Sequence, residues 1–200
     1  MVRVAQRVRP EHRSIVVVDM VGSSRWGNVT QFHARAALQR LVRRAFRRAG
    51  VPWWRLAVED RGDGMIILVP PSVSKVDLLD PLVPALVAGL RAHNARSGSR
   101  TRPRIRLRVA VHSGEVLRAR TGWVSADVNL ACRLVAGEPL YRELARTGAD
   151  LVLVVSERVH DGVVRHGYRG IDPAAYAPVR IVVKEADVAA RVTVPAACGG

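Results

Sequence analysis

Two segments decide how this chain reads: Ser14-Ile15-Val16-Val17-Val18-Asp19-Met20-Val21-Gly22-Ser23-Ser24 and Glu59-Asp60-Arg61-Gly62-Asp63-Gly64-Met65-Ile66-Ile67-Leu68-Val69. Each joins an aspartate to an unbroken apolar run of strand length. Runs of this kind belong to strands buried on both faces. The neighbouring glycines leave the backbone open to close approach by a ligand. Two carboxylates brought together at strand ends can hold hard divalent cations through oxygen. Cations so held polarise a phosphoryl group and stabilise attacking and leaving oxygens. Taken singly, Asp19 and Asp63 each do no more than end a strand.

Working outward from these segments, Asn28 or Thr30 starts a helix over about 31–48, with Phe32, Leu38, Leu41, Val42, Ala45 and Phe46 among its apolar positions. Gly50-Val51-Pro52 ends it, and strands over 53–60 and 64–70 form a hairpin. After Pro70-Pro71 a second helix covers 81–96, followed by a polar loop over 97–103. A strand over 105–111 runs into a turn at His112-Ser113-Gly114, and 115–119 pairs back as a hairpin. Helices over 125–136 and 139–147, a strand over 151–155, a helix over 156–166 and strands over 179–184 and 190–194 complete the pattern. This order predicts an α+β fold with a ferredoxin-like βαββαβ core and additional strands and helices. A single domain is expected over 14–195, with a flexible basic lead-in at 1–13 and a tail at 196–200. Such a core serves many chemistries and names none.

Composition narrows the classes. The hydrophobic fraction of 48% and mean hydropathy near zero suit a globular core, and apolar runs such as Leu151–Val155 are far too short to span a membrane. Asp19 interrupts the first apolar run too early for a signal peptide. Two cysteines, Cys132 and Cys198, without metal-type spacing fit a reducing cytoplasm. The net charge of +15 is almost wholly arginine, since only Lys75 and Lys184 are lysine. That bias fits GC-rich coding as well as selection, although it attracts nucleotides and other polyanions either way. Nucleic acid is disfavoured as a partner here, because charge alone supports it and no recognition motif does.

Four segments resemble class III nucleotidyl cyclases, the adenylyl and guanylyl cyclase family, in the family's order and over roughly 14–136. Ile15–Ser24 resembles the first metal-binding segment, and Arg61-Gly62-Asp63-Gly64-Met65 the second metal-binding hairpin. Leu107–Val116 is similar to the strand and turn before the dimer arm, and Asp127-Val128-Asn129-Leu130-Ala131-Cys132-Arg133-Leu134 resembles the catalytic helix. The resemblance implies that Asp19 and Asp63 hold two Mg²⁺ or Mn²⁺ ions, that Asn129 orients the ribose and that Arg133 stabilises charge on the reacting phosphate. Lys184 stands where the family places a triphosphate-binding lysine. A helix does put Asn129 and Arg133 on one face, and the amides of Gly22, Ser23 and Ser24 are suited to phosphate.

The implied activity is conversion of a nucleoside triphosphate to a 3′,5′-cyclic monophosphate and pyrophosphate by a homodimer with sites at its interface. The resemblance suggests Asp19, Glu59 and Asp63 from one chain and Asn129 and Arg133 from the other. Glu59 matches the family's guanine-selecting glutamate, and a carboxylate suits the N1 and N2 donors of guanine. The partner position, seven before Asn129, is Gly122, which supplies no side chain, and Ser125 replaces a usual glycine. GTP is therefore favoured over the other bases. A pyrimidine cyclase making cyclic UMP or CMP in antiphage defence, and a degenerate homologue that binds nucleotide or a partner without turnover, remain open.

Overall fold

A computed structural model of the chain describes residues 9–120, 122–183 and 186–196. Fourteen strands and helices occur among them: β1 (Glu11–Met20), α1 (Asn28–Arg48), β2 (Ala57–Asp60), β3 (Gly64–Val69), α2 (Lys75–Leu79), α3 (Leu82–Asn94), β4 (Leu107–Ala119), β5 (Gly122–Val124), α4 (Ala126–Val135), α5 (Glu138–Thr147), β6 (Leu151–Ser156), α6 (Glu157–Gly162), β7 (Ala177–Val183) and β8 (Ala186–Thr193). The sheet runs β2-β3-β1-β4-β6-β8-β7, with β5 paired to β4. Its first four strands, with α1 after β1 and α2–α3 after β3, form the expected ferredoxin-like core; all their pairings are antiparallel.

The apolar runs are unbroken because helices cover both faces of the sheet. Val16, Val18, Met65, Ile67, Val109 and Val111 point into a core shared with α1 and α3. Their neighbours Ile15, Val17, Ile66, Leu68 and Ala110 point the other way, under α4 and α5. Successive strand residues face opposite sides, so both registers must be apolar.

Several boundaries differ from the sequence reading. β1 starts at Glu11 rather than 14, because Glu11–Arg13 pair with Val116–Gly114 of β4. Residues Trp53–Arg55 form a 3-10 turn, leaving β2 only four residues, and the helix expected over 81–96 is preceded by the short α2. The largest difference is at His112-Ser113-Gly114. No turn forms there. β4 continues for thirteen residues, and its hairpin partner is β5, not 115–119. The glycine that reads as a turn signal serves clearance instead: a Cβ on Gly114 would lie 2.0 Å from the Asp127 carboxylate, which folds beneath it.

Candidate active site

Asp19 is the last but one residue of β1, opposite Gly64 on β3 and Arg108 on β4. The turn carrying Asp63 is pinned to β1, since the Met20 amide donates to the Asp63 carbonyl at 2.8 Å. This approach requires Gly64, where a Cβ would sit 2.5 Å from the Val18 carbonyl oxygen. The buried Ser23 hydroxyl donates to Asp63 Oδ2 at 3.2 Å. Gly22 has φ +76°, which lets the chain turn directly into the 3-10 turn Ser23–Arg25. The amides of Gly22, Ser23 and Ser24 thus adjoin that turn, while α1 begins only at Asn28. Asp63 and Asp19 are close enough to interact: burial, and then the Asp63 charge, push the Asp19 carboxyl above its ordinary range against the pull of Arg108.

Arg108 is the residue that the sequence reading missed. It is only 7% exposed. Its Nε donates to Asp19 Oδ2 at 3.0 Å, and its Nη2 donates to the same oxygen. Its guanidinium lies 3.9 Å from the centre of the Tyr141 ring on α5. Nη1 is buried without a hydrogen-bond partner among the described residues. The signal in the sequence was alternation: Arg106 and Arg108 interrupt an otherwise apolar strand, and a buried arginine requires a partner.

Glu59 belongs to a second grouping. It pairs with Ile66, and so faces α4 and α5 rather than α1 and α3. Glu59 Oε1 would lie 3.5 Å from a Cβ on Gly122, so the two expected base-selecting positions meet within one chain. Cys132 of α4 feels the charges of both Arg61 and Glu59, although burial is what chiefly raises its thiol. Glu59 itself accepts from Arg61 at 2.8 Å. Glu59 therefore shares its surroundings with α4 of its own chain.

Asn129 is exposed on α4, and Arg133 lies one turn further along. Ser125, in place of the expected glycine, caps this helix by accepting from the Asp127 and Val128 amides. Its hydroxyl donates to the Glu115 carbonyl at 2.6 Å. The helix is also tied to the sheet through Asp127. Asp127 Oδ2 accepts from the Glu115 amide at 2.8 Å, and Oδ1 takes the buried His112 Nε2 at 3.0 Å. His112 Nδ1 meets Ser156 Oγ at 2.7 Å, which makes the Ser156 hydroxyl the donor when Nε2 carries the proton. Burial lowers the affinity of His112 for a second proton, even though Asp127 pulls the other way. Hydrogen bonds from His112 and Glu115 outweigh burial at Asp127 and hold its carboxyl below the usual range. The Ser-His-Asp order has no exposed nucleophile, so it serves to position α4.

The donor set at Asp19 and Asp63, two carboxylates beside a serine hydroxyl, is all oxygen and fits Mg²⁺ or Mn²⁺. Asp19 now takes its positive charge from Arg108, a charge a cation would share. A separate group of three potential ligands, Glu157, His160 and Asp161, lies on α6, where Glu157 already pairs with Arg191. Lys184 lies outside the described residues.

No protein-family model and no curated protein matches the sequence. Solved structures do. The crystal structure of an adenylate/guanylate cyclase/hydrolase from Silicibacter pomeroyi superimposes with a TM-score of 0.64 at 19% identity, covering 94% of this chain and 99% of that one. The fold is that of the class III cyclase catalytic domain. The guanylyl cyclase Cya2 gives 0.61 at 15% identity, over 92% of this chain and 91% of its own. The guanylate cyclase domain of RhGC from Catenaria anguillulae, solved with GTP, gives 0.56 at 14%, over 91% and 95%. The cyclase fold therefore accounts for nearly the whole chain, including the strands and helices added to the ferredoxin-like core.

Proposed function

We propose that the chain is a nucleotidyl cyclase that turns a nucleoside triphosphate into a 3′,5′-cyclic monophosphate and pyrophosphate. The observation that carries this reading is the juxtaposition of Asp19 and Asp63 with the buried cation Arg108. The ribose 3′-oxygen forms a bond to the α-phosphorus, the bond from that phosphorus to the bridging oxygen breaks, and the hydroxyl proton passes to solvent. The reaction needs alignment and charge neutralisation, with no covalent step on the protein. Asp19 and Asp63 would hold two Mg²⁺ or Mn²⁺ ions, whose chemistry is to acidify the 3′-hydroxyl and neutralise the phosphates. Arg108 brings a buried positive charge to the same place through its hydrogen bonds to Asp19. Ser23 orients Asp63, and the amides of Gly22, Ser23 and Ser24 receive phosphate. Asn129 holds the ribose, Arg133 balances charge on the reacting phosphate, and Lys184 adds a cation for the pyrophosphate.

The active form is a head-to-tail homodimer, and each site combines two halves. One chain supplies Asp19, Asp63 and Arg108; its partner supplies Glu59, Asn129 and Arg133. Glu59 favours GTP, and to receive guanine it exchanges Arg61 for the base donors. Among the described residues no helix is long and apolar enough to cross a membrane, which accords with a cytoplasmic enzyme. Incubation with each of the four nucleoside triphosphates and Mn²⁺, with products identified by mass, tests the reading. Cyclic GMP is expected as the main product. Absence of every cyclic product from folded, dimeric protein would refute cyclase activity, and a cyclic pyrimidine nucleotide would refute the base assignment alone.

A further inference from the structure

The fold gathers much of the chain's positive charge on the side away from the carboxylate pair. Residues 28–58 contain seven arginines and no acid, and residues 81–114 contain seven more and no acid. The first stretch builds α1 and the second builds α3 and the loop after it, and the two helices pack together over one face of the sheet. Gly89 lets them approach closely, since a Cβ there would touch the Leu41 side chain at 3.2 Å. Between them lies a groove of about 180 Å³ edged by Arg40 and Arg44 on one side and His93, Arg96 and Arg102 on the other. A hollow of about 490 Å³ beside it is lined by Arg43, Arg44, Arg47 and Trp53, with Arg43 stacked 4.9 Å over the indole.

The remaining arginines of these stretches show what pairing looks like in this molecule. Arg35 meets Asp60, Arg104 meets Asp150 and Arg108 meets Asp19. Among the described residues, Arg40, Arg43, Arg44, Arg47, Arg96 and Arg102, which edge the groove and the hollow beside it, make no ion pair. Compositional bias adds arginine everywhere, but it does not strip every acid from two separate stretches that the fold then brings together.

We propose that this α1–α3 face binds duplex nucleic acid through its phosphate backbone. The groove is concave, with cations on both walls, which suits a phosphodiester strand better than a flat bilayer. Membrane surfaces also demand large apolar side chains among the basic ones. Here the exposed positions around Arg91 and Arg96 are alanine, Ala88, Ala92 and Ala95, and the exposed Phe32 and Trp54, near the start of α1 and beyond its far end, line neither hollow. Single strands are held by open aromatic platforms lining the groove, whereas Trp53 is capped by Arg43 and the exposed Trp54 lies outside both hollows. No side chain on this face is arranged to read bases, so binding depends on phosphate geometry and is indifferent to sequence. The inference is independent of the cyclase reading.

The test is fluorescence anisotropy with labelled 20-base-pair DNA and RNA duplexes, titrated between 50 and 300 mM salt. Arg44→Glu with Arg96→Glu changes both walls of the groove; Arg120→Glu with Arg165→Glu makes the same charge change at exposed positions elsewhere. The groove pair is expected to weaken binding at least tenfold, and to lower the slope of log affinity against log salt by roughly two, near 0.9 for each lost phosphate contact. The control pair is expected to shift affinity less than threefold. Arg44→Gln with Arg96→Gln, a milder change, is expected to act in the same direction with an unchanged melting temperature. Equal losses from groove and control pairs would overturn the proposal, because net charge alone would then explain binding. So would absence of duplex binding at 50 mM salt, capture by phosphatidylserine vesicles but not duplex, or competition by polyglutamate as effective as duplex at matched charge.

Discussion

Replacing Gly114 with alanine should cost far more than a methyl group in a strand normally does. The added Cβ would lie 2.0 Å from both Cγ and Oδ2 of Asp127. Gly114 is held in the sheet by its pairing with Arg13 of β1, so the carboxylate must leave. Two hydrogen bonds to it are then lost, from the Glu115 amide at 2.8 Å and from His112 at 3.0 Å. Hydrogen bonds to charged groups contribute about 1.5–3 kcal/mol each, but Asp127 is partly exposed and water compensates some of the loss. A net destabilisation of about 3 kcal/mol is expected, lowering the melting temperature by roughly 6–12 °C for a chain of this size. The diagnostic assay is a double-mutant cycle by urea unfolding, with Gly114→Ala measured in the parent and in Asp127→Gly, because the Asp127 Cβ would itself lie 2.5 Å from the new methyl group. If the clash is the cause, Gly114→Ala should be nearly neutral once Asp127 is gone. Equal costs in both backgrounds would refute the reasoning and return Gly114 to a purely conformational role.

Mixed dimers test the division of the site: Asp63→Ala with Glu59→Ala chains should regain activity, as should Asp63→Ala with Arg133→Ala, whereas Glu59→Ala with Arg133→Ala should not. Rescue by the last mixture, read from cyclic-nucleotide yield, would restore Glu59 to the metal-bearing half. Arg108→Lys, which keeps the charge but loses the fork on Asp19, should reduce kcat/KM by roughly 10–100-fold, the equivalent of one charge-assisted hydrogen bond; unchanged kinetics would remove Arg108 from the site. Chelation of divalent cations should abolish turnover and Mn²⁺ restore it, with no restoration in Asp19→Asn; full activity under chelator contradicts the carboxylate assignment. Stability should also depend on pH through His112, whose proton affinity is lowered by burial. The unfolded chain takes up a proton below about pH 6.5 that the folded chain resists, so this contribution is whole above pH 6.5 and lost as pH falls toward the lowered folded value. Urea midpoints between pH 7.5 and 5.5 should fall in the parent and fall less in His112→Gln.

The ferredoxin-like core was legible because its signals are local. Unbroken apolar runs, helix periodicity and glycine-flanked aspartates are properties of neighbouring residues, and they placed Asp19 and Asp63 without any long-range information. What stayed hidden depends on residues far apart in sequence. His112-Ser113-Gly114 has the composition of a turn, and only the fold of Asp127 beneath it explains a straight strand. Arg108 finds Asp19 across 89 positions of sequence, and Glu59 finds Gly122 through the packing of the hairpin under α4. The acid-free stretches were readable as charge, but that they form one surface is a fact of helix packing.

The unbroken course of β4 also fixes a length. Arg108, at one end, grips Asp19; Glu115, seven residues on, grips the first turn of the helix that carries Asn129 and Arg133. At about 3.3 Å per residue the strand is a strut of roughly 23 Å between the two proposed half-sites of one chain. In a head-to-tail pair, each strut would join a half of one catalytic centre to a half of the other. A rotation that tightened one centre would be carried through the strut to its twin, so the two would open and close as a linked pair.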